Sequence, residues 1–244
     1  MSKDQIYAHE EATAGSFQFN AAVADVFPDM LRRSIPGYDE SIRAIGRLAA
    51  RYVKPDTYCY DLGCSLGAAA FAIRRNISVT DCPRCKIIAV DSAPAMIERC
   101  RRLLTDDDGI TECVVQQADI RQVVIENASM VVMNYTLQFI PLDERLPLIN
   151  RIFDGINQGG IFVLSEKIRD DDPEVEDLLV ELHHDFKKAN AYSELEISRK
   201  RAALENVLIP ETTSAHLQRL AKAGFRHSSV WLKHFNFISI IAVR

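Results

Sequence analysis

The chain has 244 residues, 48% of them hydrophobic and 26% charged, with a net charge of −5 and a pI near 5.7. That is ordinary globular composition at a length that fits one α/β domain (residues 1–244) with an elaboration, and the acidity argues against binding nucleic acid by overall charge. No apolar run approaches the ~18–20 residues of a membrane span, and the opening Met-Ser-Lys-Asp is not read as a signal peptide. The six cysteines, all in the first half, are therefore expected to be reduced thiols of a cytoplasmic protein.

Residues 1–20 are polar and mixed, with a late Phe17-Gln18-Phe19 alternation. They predict a poorly ordered start that then docks across the domain or its ligand. Residues 21–35 read as a helix closed by Ser34-Ile35-Pro36-Gly37-Tyr38, which sets Tyr38 on a turn before a helix at about 42–52. There it either packs or serves as a lid, and residues 1–52 together form a helical cover.

The first strand, about 57–61, runs into Asp61-Leu62-Gly63-Cys64-Ser65-Leu66-Gly67 and then a helix start at Ala68-Ala69-Ala70-Phe71. An acid at a strand end, two turn glycines and a helix N-terminus make a nucleotide cradle, with close backbone approach and free N–H groups facing the ligand. The acid precedes the glycines, an order that suits an ammonium group rather than a pyrophosphate. S-adenosylmethionine (SAM) carries such an ammonium. Glycines in a turn are also often plain geometry, and the later elements decide between the two.

Cys82-Pro83-Arg84-Cys85 has no second ligand pair at zinc spacing and reads as a surface turn with two thiols. Lys86-Ile87-Ile88-Ala89-Val90-Asp91 is a continuously apolar strand, as expected where both sheet faces are covered. Its terminal Asp91, 24 residues after Gly67, is placed to accept ribose hydroxyls, and Ser92 leads to a helix opened by Pro94. A third strand at 113–117 ends in Asp119-Ile120, and Met130-Val131-Val132-Met133-Asn134 is the fourth. A helix at 143–156 is expected to stop at a cap, Asn157-Gln158-Gly159-Gly160, before a fifth strand at 161–165. Asp61, Asp91, Asp119 and Asn134 thus fall at four successive strand ends, the edge where open α/β sheets bind ligands.

Residues 170–206 read as an inserted helical pair. Asp172-Pro173 starts a helix with an apolar stripe of Val175, Leu178, Leu179, Leu182, Phe186 and Ala189, and Ser193-Glu194-Leu195-Glu196 is a capping box for the next. The stripe exceeds what one sheet needs and predicts a homodimer interface. On the second helix Arg201 shares a face with Ile197, Leu204 and Leu208. It either pairs with Glu205 or faces an anionic ligand. His183-His184 splay apart and make a poor metal pair, so no metal is expected. A helix at about 212–223 and strands at 228–233 and 236–243 close the chain as a hairpin. The fold class is α/β: a doubly wound, seven-stranded, mostly parallel sheet.

This layout resembles class I SAM-dependent methyltransferases, with Asp61 to Gly67 like their first motif and Asp91 like their ribose acid. A fuller match runs through Val26-Phe27-Pro28-Asp29-Met30, Arg33-Ser34-Ile35-Pro36-Gly37-Tyr38, Tyr60-Asp61-Leu62-Gly63-Cys64-Ser65, Asn127-Ala128-Ser129-Met130-Val131, Leu137-Gln138-Phe139, Leu164-Ser165-Glu166-Lys167, Tyr192-Ser193-Glu194-Leu195-Glu196 and Lys200-Arg201 with Leu204-Glu205-Asn206-Val207. These collinear blocks, with Trp231 and Phe235-Asn236-Phe237, resemble the carboxy-S-adenosylmethionine synthase family. The resemblance implies an enzyme that carboxylates the methyl of SAM with prephenate as donor, releasing phenylpyruvate and water. Its product serves a separate enzyme that modifies wobble uridine in tRNA to 5-carboxymethoxyuridine, so no direct nucleic-acid binding is implied, and the family is dimeric.

Carried over by position, the contacts to SAM or carboxy-SAM are Tyr38, Gly63, Cys64, Ser65, Asp91, Ser92, Asp119, Ile120, Asn134 and Arg201, with Arg201 holding the new carboxylate. Ser92 stands where the family often has asparagine, and the Cys82–Cys85 stretch is longer than usual for it. An ordinary methyltransferase acting on a small molecule or RNA, and a silent cofactor-binding subunit, are the rival readings. A nicotinamide dehydrogenase fits worst, because Asp61 would crowd a pyrophosphate.

Overall fold

Strands β1 (Tyr58–Leu62), β2 (Lys86–Asp91), β3 (Glu112–Gln117), β4 (Ala128–Asn134) and β5 (Ile156–Lys167) run parallel, and β6 (His227–His234) and β7 (Phe237–Val243) add an antiparallel hairpin. The computed structural model, which describes residues 3–8, 17–78 and 80–244, places them in the order β3-β2-β1-β4-β5-β7-β6. The doubly wound, seven-stranded sheet expected from sequence is therefore present. Residues 130–133 of β4 are wholly buried, as a strand covered on both faces requires.

One face of the sheet packs on α2 (Tyr38–Tyr52), α3 (Ala68–Asn76) and α4 (Pro94–Thr105) through Ile45, Ile73 and Ile97. The other packs on α5 (Leu142–Gly155) and α8 (Thr213–Ala223) through Leu148, Ile152, Leu220 and Phe225. Each such side chain contributes about 1.5–3 kcal/mol by leaving water. The order reverses at β1, which lies between β2 and β4, and this opens a crevice at the strand carboxyl ends.

Three helices cover that crevice: α1 (Ala21–Ser34), α6 (Pro173–Ala189) and α7 (Glu194–Leu204). Helix α1 begins where Asn20 Oδ1 accepts the Val23 N–H at 3.0 Å, and α6 where Asp172 Oδ1 accepts the Glu174 N–H at 2.9 Å. The capping box of Ser193 and Glu196 forms as expected. Residues 3–8 and 17–20 do dock. Asp4, 1% exposed, receives the Tyr192 hydroxyl on its carboxylate and Arg33 Nη1 on its carbonyl at 3.0 Å. Arg33 also donates to the carbonyls of Asn190 and Ala191, both at 2.7 Å, and stacks on Tyr192. Phe19 meets Phe27 and Phe139 edge-on. The poorly ordered start expected from sequence falls largely on residues 1–2 and 9–16, which lie outside the described residues.

Several local expectations are corrected. Asn157 to Gly160 do not cap α5. The helix ends at Gly155, where a Cβ would sit 2.3 Å from the Ile125 carbonyl oxygen, and the chain enters β5 directly at Ile156. Tyr38 opens α2 instead of standing on the turn, and it is buried beside Tyr135, with ring centroids 6.5 Å apart. Cys82 and Cys85 are core residues and not surface thiols, because the turn folds inward and Cys82 Sγ reaches the Val53 carbonyl at 3.2 Å. Leu208 lies past the end of α7. On α6 the stripe is split: Leu179 and Phe186 are half-buried, whereas Val175, Leu178 and Leu182 stay exposed.

Candidate functional site

A cavity of about 1130 Å³ occupies the crevice. All ten residues singled out above line it: Tyr38, Gly63, Cys64, Ser65, Asp91, Ser92, Asp119, Ile120, Asn134 and Arg201. The turn after β1 is pinned by the Val90 carbonyl, which accepts the N–H groups of Gly63 and Cys64 at 2.8 and 2.9 Å. Gly63 has φ +81°, and a Cβ there would lie 2.3 Å from Thr136 Oγ1, so any side chain would strain the turn and fill the crevice. Ser65 and Tyr135, with φ of 50° and 59°, are non-glycine residues held left-handed at the cavity wall, a local cost that the surrounding bonds maintain.

Asp61 is 1% exposed, and one of its oxygens, Oδ2, accepts the Ala70 N–H of α3 at 2.9 Å. Burial pushes its carboxyl up to about 7, with the Ala70 bond pulling the other way and Asp91 adding repulsion. Asp91 accepts the Ser65 N–H on Oδ2 and the Ala93 N–H on Oδ1, both at 2.8 Å. Burial raises its pKa, and those amides oppose the rise. A carboxylate has about four acceptor sites. Asp91 therefore keeps acceptor capacity beyond the loop amides, as a ribose hydroxyl needs.

Asp119 is forked by Arg121 at 2.6–3.0 Å, and that bond holds its carboxyl below the usual range. Arg121 in turn reaches Glu144 at 2.7 Å. Asn134 Oδ1 is buried with no hydrogen-bond partner among the described residues. A buried acceptor left bare costs about 1–3 kcal/mol, so it marks a place for a donor on a ligand. The loop after β4 is fixed by Glu166, which accepts the N–H groups of Leu137 and Gln138 at 2.9 and 3.0 Å. Burial raises Glu166 to about 8.

Arg201 is exposed, lines the cavity and forms no ion pair with a described residue, so the alternative of pairing with Glu205 is not realised. Glu205 meets it only through the backbone, donating its N–H to the Arg201 carbonyl at 3.1 Å. The sequence reading missed Tyr135, Lys167, Lys187 and Phe237, which also line the cavity. Lys167 was open to the strand-end rule, since it closes β5. Nothing in the periodicity of α6 marks Lys187. His183 Nε2 lies 2.8 Å from the Ser34 carbonyl, and no group of three or more potential metal ligands occurs among the described residues.

The chain is similar over its whole length to proteins of one kind. It is 53% identical to the carboxy-S-adenosyl-L-methionine synthase of Trichlorobacter lovleyi, across 99% of this chain and 98% of that protein. The protein of the same name from Shewanella sp. strain ANA-3 is also 53% identical, across 100% and 99%. The chain belongs to the carboxy-S-adenosyl-L-methionine synthase family. Like that family, it is a SAM-binding transferase. A family model described as a methyltransferase domain matches residues 60–160. Among solved structures, an O-methyltransferase family protein from Burkholderia thailandensis has the same fold, with a TM-score of 0.66 at 13% identity over 98% of this chain and 61% of that one. The residues present suit a SAM-type ligand: Asp91 retains acceptor capacity, Asn134 Oδ1 is a buried bare acceptor, and the Arg201 guanidinium lines the cavity with no ion pair among the described residues.

Proposed function

We propose that the protein converts SAM and prephenate to carboxy-SAM, phenylpyruvate and water, as part of 5-carboxymethoxyuridine formation at the tRNA wobble position. The observation that carries this reading is Arg201, a guanidinium with no carboxylate partner among the described residues, lining the crevice cavity. An ordinary methyltransferase delivers a neutral methyl and has no use for it. A planar donor suits the carboxylate that carboxy-SAM carries and SAM lacks.

In this reading Asp91 and Ser92 hold the ribose, Asp119 and Ile120 the adenine, and Gly63, Cys64, Ser65 and Asn134 the methionine moiety, with Tyr38 closing one wall. When bound, the sulfonium makes its methyl hydrogens acidic. Prephenate loses CO₂ and hydroxide as its ring becomes aromatic, and that hydroxide can take up the methyl proton to give water. The chain's own work is then to orient two ligands and exclude water. Buried Tyr38, half-buried Tyr135 and the aromatic contact of Phe19 with Phe139 serve the second task.

Incubation with SAM and prephenate, followed by mass spectrometry, tests it. The expected products are SAM plus CO₂ and phenylpyruvate. Formation of S-adenosylhomocysteine with a methylated acceptor would replace this reading with the methyltransferase one.

The same reading treats the whole chain as one functional unit that works in the cytoplasm as a homodimer, without holding nucleic acid itself. Exposed Val175, Leu178, Leu182 and Leu195 on α6 and α7 support the interface, and free thiols at all six cysteines agree with a reducing compartment. No helix among the described residues is long and apolar enough to cross a membrane. Light scattering should give the dimer mass, and Leu178→Asp should shift it toward monomer.

A further inference from the structure

Two lysines that the cofactor does not account for face the same cavity. Lys167 is the last residue of β5 and Lys187 lies near the end of α6, and both are half-buried. Neither has an ion pair or a side-chain hydrogen bond to another described residue. Their neighbours behave differently. Lys188 pairs with Glu194 at 2.9 Å, and Lys200 reaches Ser34 Oγ at 2.8 Å and Asp4 at 3.8 Å. A lysine in a last helical turn complements the helix dipole, which explains Lys187 alone but not its convergence with Lys167 and Arg201.

That convergence is unfavourable without a ligand. Desolvation lowers the pKa of both lysines, and Arg201 adds repulsion to each, as Lys167 does to Lys187. Carboxylates in the lining do not cancel this. Glu176 faces Lys167 but has an oxygen committed to the Asp170 N–H at 2.7 Å, and Glu205 makes no side-chain ion pair with a described residue. Beside the lysines lies an apolar platform. Phe237 is paired with Lys167 in the β5–β7 register, and its ring sits 6.0 Å from Tyr135 and 4.9 Å from His183. The cavity is also larger than the ~300–1000 Å³ of a typical single-ligand site.

We propose that Lys167 and Lys187, flanked by Phe237, form a second subsite that binds the carboxylates of a cyclic dicarboxylate donor. The inference rests on the carboxyl-transfer reading and assigns the donor to named residues. Arg201 lines the same cavity close enough to be felt by both lysines, and in this proposal it receives the carboxylate that passes from the donor to the cofactor.

The test uses full-length protein saturated with S-adenosylhomocysteine, which has no methyl to react, and calorimetric titration of prephenate. Lys167→Met and Lys187→Met are each expected to weaken prephenate binding about tenfold or more, with S-adenosylhomocysteine affinity kept within about twofold. Exposed Lys222→Met is the control and should change neither. Prephenate affinity within about twofold of wild type in both folded variants overturns the subsite, as does failure of wild type to bind prephenate at millimolar concentration. If wild type binds prephenate through these lysines yet never turns it over, the subsite stands and the synthase reading falls. If wild type makes carboxy-SAM while the lysine variants bind prephenate normally, the reverse holds.

Discussion

Asp91 and Arg201 face one cavity, yet the regions that present them are built differently. The acidic side, from Asp61 to Asp119, is tied internally: each of its three aspartates already accepts backbone or guanidinium hydrogens. That side is formed before any ligand arrives. On the other side β5, α6 and α7 bring Lys167, Lys187 and Arg201 together, none of them ion-paired with a described residue, and burial and then mutual repulsion disfavour the charged lysines until an anion joins them. Pre-formed acceptors favour a component common to all substrates. Unbalanced cations favour the component that distinguishes them.

Asp91→Ala should separate the two sides most strongly. Loss of a charged hydrogen-bond partner costs about 1.5–3 kcal/mol, up to about a hundredfold, and should fall equally on SAM and carboxy-SAM. Isothermal titration with both ligands checks this; a selective loss would erase the distinction between the sides.

Arg201→Ala should weaken carboxy-SAM by about tenfold and leave SAM nearly unchanged, a smaller effect because the guanidinium is exposed to solvent. Equal losses for both ligands would move Arg201 out of the selective region.

A smaller effect should appear with pH. Burial and the facing charges of Lys167, Lys200 and Arg201 depress Lys187 to about 8 from 10.5. An anion binds the protonated form, so the KM for prephenate should rise about fourfold from pH 7 to 8.5 and flatten in Lys187→Met. Stability moves the opposite way. Between about 8 and 10.5 the unfolded state binds the proton that the folded one has lost, so this lysine's contribution improves as pH rises through that window. Lys200, also lowered to about 8, is held by Asp4, and its titration should persist in the variant.

The smallest change is expected for Glu205→Ala. With no side-chain ion pair to Arg201 to lose, melting should show a shift below ~0.5 kcal/mol and cofactor preference should hold. A larger shift would restore the surface pairing that the structure lacks.

The difference between the two regions also explains what could be read from residues alone. Asp91 and Asn134 close their strands, Asp61 stands one residue before the end of β1 and Asp119 just past β3, and strand ends are legible because apolar runs stop there. Periodicity marks Arg201 but leaves its partner open, because whether Glu205 turns its carboxylate toward it depends on how α7 ends and not on spacing. Lys187 was invisible, because its significance comes from Lys167, which reaches it only when β5 and α6 pack. Tyr38 was misplaced by one element, since Pro36-Gly37 marks the turn but not how soon the next helix begins. Cys82 and Cys85 misled in the same way: spacing described a loop, and burial depended on the Val53 carbonyl that only the fold brings near.

Asp4 lies 188 residues from Tyr192 in sequence and bonds to its hydroxyl. Through that contact and Lys200 it is fastened to the neck and body of α7, the helix that carries Arg201. A replacement such as Asp4→Ala would leave the Tyr192 hydroxyl and the Lys200 ammonium without their acid. The grip of the N-terminal segment and the affinity for a carboxylated ligand therefore belong to one thermodynamic cycle, so occupancy of the rim should slow proteolysis of residues that never touch the ligand.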